Sequence, residues 1–282
     1  MLDSPIAFIC VYNENDVLPW TVRHLTRQGC RVHIIDNWST DGSYELAFGW
    51  CSGFLPYAEK RLVTAELWPM VTAELWPKEG PLPIYNWSGL LNHVAKLAAA
   101  SDARWIIHHD ADEIRRTPWP GVTLAEGFKR VEAEGYNCVD HQLYLFPPVD
   151  NGYCSDRDLE HYFTRYTLNA LDCRLPQQKA WMNVCEVDLA GSGGGHTVRF
   201  PGRMVYPVKW ISKHYPIRSQ AHGERKIFRE RRPRYSPAEK ARGWHIQYDH
   251  IKPGHNFLWD PAALKDWGGD VTSGTPKGTK RN

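Results

Sequence analysis

The feature that most constrains this chain is an alternation in its first half: short apolar, β-branched runs, each followed by a segment of helical period. Residues 6–12, Ile-Ala-Phe-Ile-Cys-Val-Tyr, have the length and composition of a buried strand. Asn15 or Asp16 can cap a helix running to about Gln28, where Gly29 supplies a stop. A second strand is expected over 32–36, a helix from Asp41 or Ser43 to about Phe48, and a third strand over 62–65. Trp87, Leu90, Leu91, Val94, Leu97 and Ala98 then share one helical face, ahead of the strand Trp105-Ile106-Ile107-His108-His109. After a helix near 122–134, residues 136–146 read as one further strand. Strands alternating with helices predict an α/β fold whose sheet is mostly parallel and flanked by helices.

The second half changes character. Residues 147–200 mix Pro, Gly, Asp and aromatic side chains, with Gly191-Ser192-Gly193-Gly194-Gly195 reading as a flexible loop. The expected organisation is an α/β half over 1–146, a less regular half over 147–262 completing the same domain, and a loose polar tail over 263–282. Residues 218–242 carry nine basic and three acidic side chains, although the whole chain is nearly balanced at 34 basic and 32 acidic. Most of Arg229 to Arg242 is expected to belong to an exposed basic helix, with Ile227 and Phe228 docked on the core. It is too short, in an otherwise net acidic chain, to argue for nucleic acid. It does offer a peripheral contact with an anionic membrane face.

Other features exclude more than they assign. No apolar run approaches the roughly 20 residues of a spanning helix. The first residues pass directly into a strand with no secretory leader, so a cytoplasmic location is expected. Seven scattered cysteines with no Cys-x-x-Cys pair read as reduced thiols. Val63-Thr64-Ala65-Glu66-Leu67-Trp68-Pro69 recurs as Val71-Thr72-Ala73-Glu74-Leu75-Trp76-Pro77. Two copies are too few for a solenoid, and a duplication that loops out is expected, with no functional role.

Three groups of residues carry chemistry. Asp110-Ala111-Asp112 follows an apolar strand, so both carboxylates can reach a crevice at the sheet's carboxyl edge, where open α/β sheets bind ligands. A carboxylate pair there suits Mg²⁺ or Mn²⁺, which take their remaining ligands from water and substrate phosphates. Asn13-Glu14 and Asp36-Asn37 end the first two strands and can hydrogen-bond a base and ribose in the same crevice. Neither a Gly-x-Gly-x-x-Gly nor a phosphate-loop lysine accompanies them, so a bound diphosphate needs another source of positive charge. The third group is Lys213-His214-Tyr215-Pro216-Ile217-Arg218, followed by Ser219-Gln220-Ala221-His222-Gly223-Glu224-Arg225-Lys226, in which a neutral His can complete a metal shell and a nearby Lys or Arg can stabilise a departing diphosphate.

Taken together, Val11-Tyr12-Asn13-Glu14, Ile35-Asp36-Asn37-Trp38-Ser39-Thr40-Asp41-Gly42-Ser43 and His109-Asp110-Ala111-Asp112-Glu113-Ile114 resemble the family 2-like glycosyltransferases of the GT-A fold. The likeness is to a bacterial branch with an Asn-Glu start and an Asp-x-Asp-Glu motif. It spans about residues 5–115, and 214–234 resembles that branch's C-terminal block. The resemblance implies a nucleotide-diphosphate sugar donor, a divalent metal (Mn²⁺ or Mg²⁺), and transfer to the hydroxyl of a glycan, lipid or protein acceptor. It implies Asp110 and Asp112 as holders of metal and diphosphate, with His214 as a late metal ligand. Tyr12, Asn13, Glu14, Asp36 and Asn37 would line the nucleoside site. Asn37 departs from the second Asp of many members. Lys213 or Arg218 is expected to neutralise the leaving diphosphate. If the reaction inverts, Glu186 or Asp188 is expected as general base, with His196 orienting the acceptor. Two alternatives share the carboxylates or the aromatics: a metal-dependent nucleotidyltransferase or phosphoesterase, and a non-catalytic carbohydrate- or nucleic-acid-binding module.

Overall fold

Successive side chains of the first strand face opposite ways, and each set finds its own core. The computed structural model describes residues 4–52, 70–191 and 194–268. Its first half runs β1 (Ile6–Val11), α1 (Leu18–Arg27), β2 (Arg31–Asp36), α2 (Ser43–Ser52), β3 (Val71–Leu75), α3 (Trp87–Ala100) and β4 (Trp105–Asp110). Ala7, Ile9 and Val11 pack on Leu18, Val22 and Leu25 of α1. Phe8 packs the other way, on Leu90, Leu91 and Val94 of α3. The sheet is thus sandwiched between helices, and each of the buried Val, Leu, Ile and Phe side chains among these contributes about 1.5–3 kcal/mol.

The second half comprises β5 (Glu113–Arg116), α4 (Leu124–Ala133), β6 (Cys138–Val139), β7 (His141–Leu145), α5 (Leu159–Tyr162), β8 (Arg165–Tyr166), β9 (Ala180–Met182), β10 (Trp210–His214), α6 (Gln220–Glu224), α7 (Pro237–Ala241) and β11 (Lys265–Asp266). A π-helical segment, Arg225–Arg231, runs on directly from α6. The main sheet has the order β3-β2-β1-β4-β9-β6, and a second sheet has the order β5-β10-β7. β3, β2, β1 and β4 are parallel, while β9 is antiparallel to both its neighbours. The expected α/β fold with a mostly parallel, helix-flanked sheet is present. The chain steps outward from β1 to β3 and returns on the other side at β4, so the strand order reverses between β1 and β4. In open α/β sheets ligands bind at such a reversal, in the crevice outside the strands' carboxyl ends.

Several local expectations change. α1 starts at Leu18 with Val17 at its N-cap and no side-chain cap, because Asn15 and Asp16 are engaged elsewhere. The strand expected over 62–65 lies outside the described residues; the third strand is the second repeat copy, Val71–Leu75, paired with β2. Residues 136–146 form two strands in different sheets. Asp140 breaks the run, its carboxylate accepting the amides of His141 and Gln177 at 2.9 and 2.8 Å. The tail is anchored further than expected. Lys265 and Asp266 pair with β8, and Trp267 is buried against Tyr144, Phe146 and Tyr166. Residues 269–282 lie outside the described set. All seven cysteines are free thiols. Among the described residues, no helix is long and apolar enough to cross a membrane.

Candidate active site

Register brings the sequence motifs to one edge. Val11 lies beside Asp36 and Cys10 beside Asp110, so 12–14, Asn37 and Asp110 leave three adjacent strands side by side. The Asp-x-Asp motif is the joint between the two sheets: Asp110 ends β4 and Asp112 directly precedes β5. Thr21 donates to the Ala111 carbonyl at 2.6 Å and the Tyr215 amide to the Asp112 carbonyl at 2.9 Å, fixing that joint. Antiparallel pairing of β10 with β5 sets His214 beside Glu113. Asn13 and Trp38 adopt left-handed backbone, φ 56° and 61°, where the chain turns off β1 and β2. For Trp38 this is strained, and its indole is held by the Pro77 carbonyl at 2.8 Å.

The crevice floor is a buried ionic network linking residues some 200 positions apart. Arg218 reaches Glu14 at 2.7 Å and Asp16 at 2.7 and 2.9 Å. Lys226 bridges Glu14 at 2.7 Å and Asp112 at 2.9 Å. Lys179 holds Asp110 at 2.6 Å and Glu113 at 3.3 Å, and Arg115 holds Glu113 at 2.7 and 3.0 Å. His214 Nε2 stands 3.4 Å from Asp112, and Arg231 stands 3.6 Å from Glu14. Burial opposes the charge on Asp112, but Lys226 and His214 outweigh it and hold the carboxyl well below its usual range. Burial is likewise outweighed at Asp110, chiefly by Lys179. Removing one member of such a pair strands its partner in low dielectric, at a cost of about 3–5 kcal/mol.

Beside the network lies a more neutral side of the crevice. Asn37 donates to the Trp76 carbonyl at 3.0 Å and accepts from Arg234 at 2.6 Å. The Arg234 guanidinium lies 3.8 Å above the Tyr12 ring. Asn13 donates to Glu230 at 3.0 Å and accepts from the Thr40 amide at 2.8 Å. Asp36 is fully buried; one carboxylate oxygen takes the Ser39 amide at 2.7 Å, and the other is without a hydrogen-bond partner. Burial therefore pushes this carboxyl up to about 6. Tyr12, Asn13, Glu14, Asp36, Asn37, Asp110, Asp112, His214 and Arg218 are thus gathered at one edge.

Four other expected residues stand elsewhere. Side chains alternate along β10: Ser212 bonds Glu113 at 3.2 Å and His214 faces Asp112, so Lys213 points the other way. It is buried against Glu160 at 2.7 Å and lies 4.5 Å from the Trp267 ring, away from the crevice. Its expected place beside the leaving diphosphate is corrected on that ground. β9 runs antiparallel to β4, pairing Met182 with Trp105, and so leaves the sheet at the edge opposite Asp110. Glu186 and Asp188 come after that exit and are exposed; Asp188 accepts the Gly191 amide at 2.7 Å in a local turn. That placement gives no support to either as general base. His196 lies 3.3 Å from Gln177, beside a loop whose Gly195 carbonyl meets His108.

The site does not fit the expected Mn²⁺ or Mg²⁺ as its side chains stand. Among the described residues, no three His, Cys, Asp or Glu side chains converge where an ion could sit. The Lys179 and Lys226 ammonium groups already lie against Asp110 and Asp112.

The sequence reading gave Lys179, Arg231 and Arg234 no individual role, placed Lys226 in the third group without a partner, and took Asp16 for a cap. The dense basic run 218–242 was a signal for both arginines; nothing local marks Lys179.

No family model and no curated protein matches this chain. Among solved structures, it resembles the crystal structure of S. aureus TarS 1–349 in complex with UDP, with TM-score 0.37 and 11% identity. The match covers 75% of this chain and 60% of that one, so the chain spans less than two thirds of that structure. At such a score the likeness carries no argument about activity, and the fold is read from the geometry above.

Proposed function

We propose that this chain is a glycosyltransferase of the family 2-like, GT-A type, which moves a sugar from a nucleotide-diphosphate donor to an acceptor hydroxyl. The observation that carries this reading is the convergence of Glu14, Asn37, Asp110 and Asp112 with Arg218 and Lys226 at the reversal of strand order. The uncharged side, with Tyr12, Asn13, Asp36 and Asn37, suits a nucleoside, whose base and ribose offer donors and acceptors at fixed spacing. The charged side suits a diphosphate. Transfer breaks the bond between the anomeric carbon and the diphosphate oxygen and forms one to the acceptor oxygen, whose proton is released. Fixed cations aimed at the departing oxygens stabilise the charge that develops there, and in a site screened from water each counts for more. The buried pairs under Glu14 and Asp112 hold those groups before substrate arrives, so little reorganisation is needed at reaction.

The test is a screen of nucleotide-diphosphate sugars for release of nucleoside diphosphate, with and without simple glycan acceptors. Turnover of one donor is expected. Release of monophosphate from several unrelated donors would instead identify a phosphoesterase. Metal-independent oligosaccharide binding with no turnover would identify a binding module.

A further inference from the structure

A nucleotide diphosphate entering this crevice brings negative charge that something must neutralise, and the carboxylates are already neutralised by the protein. Glu14, Asp16, Asp110, Asp112 and Glu113 each have a lysine or arginine partner within 3 Å. Lys179, Lys226 and Arg218 are at most 4% exposed, so these pairs form a fixed floor rather than a mobile surface. Two further cations rise from that floor. Arg231 stands 3.6 Å from Glu14, beyond hydrogen-bond distance, and is 24% exposed. Arg234, three residues later, lies over Tyr12 and donates to the uncharged Asn37. Among the described residues, no carboxylate lies within ion-pair distance of Arg234. A planar guanidinium offers paired N–H donors that match two phosphate oxygens. The two arginines stand between the nucleoside side at Asn37 and the charged floor at Glu14, where the two phosphates must lie.

We propose that Arg231 and Arg234 grip the diphosphate of the nucleotide ligand and that this site binds it without a divalent cation, Lys226 standing between the carboxylates that a metal would bridge. The inference rests on the nucleotide-sugar reading for the identity of the ligand, but its source of positive charge is separate. In this arrangement Arg234 also couples the two sides, since one guanidinium meets Asn37, Tyr12 and the phosphate.

Calorimetry on the full chain tests it, with UDP, GDP, ADP and inorganic pyrophosphate as probes, first in excess EDTA and then with Mn²⁺ or Mg²⁺. At least one diphosphate is expected to bind in EDTA, with Kd changed less than about threefold by either metal. Arg231→Ala and Arg234→Ala are each expected to weaken it by roughly tenfold or more, as for the loss of a charge-assisted hydrogen bond. Arg231→Lys and Arg234→Lys keep the charge and lose the fork, and are expected to fall between. Thermal unfolding of each variant confirms that the fold is intact. Binding that appears only with metal overturns the proposal and leaves the glycosyltransferase reading standing. Pyrophosphate binding in EDTA that depends on both arginines, with no nucleotide bound, supports the clamp and sinks that reading. No binding under either condition overturns both.

Discussion

Asp36→Asn is the most informative single substitution, because this carboxylate is buried with one oxygen unpartnered. The Asp36 carboxylate is fully buried, keeps one oxygen without a partner, and has its carboxyl raised from 3.8 to about 6. The unfolded chain releases this proton near 3.8, whereas the native state holds it until about 6. Across that window the native state binds more protons, so the wild type loses stability as pH rises through it. A carboxyl moved this far costs the fold about 3 kcal/mol once both states are ionised, at about 1.4 kcal/mol per tenfold change in acidity. The Asn variant keeps an oxygen for the Ser39 amide and has no proton to lose. Urea unfolding of both proteins at about pH 4.5 and about pH 7.5 should show the wild type falling by about 2 kcal/mol relative to the variant across that interval. A difference that is flat with pH would refute the claim that Asp36 is ionised at a cost, whatever its absolute size.

Lys213→Met is expected to destabilise the fold by about 1–3 kcal/mol, since Glu160 keeps Arg116 at 2.6 Å as a second partner. Its donor Kd, measured by calorimetry, should stay unchanged, and a large loss of donor affinity in a folded variant would return Lys213 to the crevice. Gly127→Ala places a methyl 2.6 Å from Thr117 and 2.8 Å from the Trp210 ring, so denaturant unfolding should show a loss of about 1–3 kcal/mol.

The first half was legible because each of its elements carries its own period. β1, α1, β2, α3 and β4 are each local patterns, and the parallel sheet arises from their alternation. The carboxyl-edge residues were legible for the same reason: once β1, β2 and β4 are placed, Asn13-Glu14, Asp36-Asn37 and Asp110 must emerge together. What could not be read was which charges meet. Lys226 bridges Glu14 and Asp112 across 212 and 114 positions, and Lys179 reaches Asp110 across 69. No local pattern encodes such a pairing. Lys213 shows the converse, since its neighbour His214 faces the site and strand alternation turns Lys213 away. Asp16 was misassigned because an acidic residue ahead of a helix looks the same whether it caps the helix or holds an arginine.

The central claim is that the edge shared by β1, β2 and β4 receives a nucleotide diphosphate. Diffraction from crystals soaked with the diphosphate that binds tightest tests it most directly. The account predicts a base beside Asp36 and Asn37, with phosphates lying toward Arg231 and Arg234. Well-ordered ligand density at any other surface, with this edge unchanged, would contradict it.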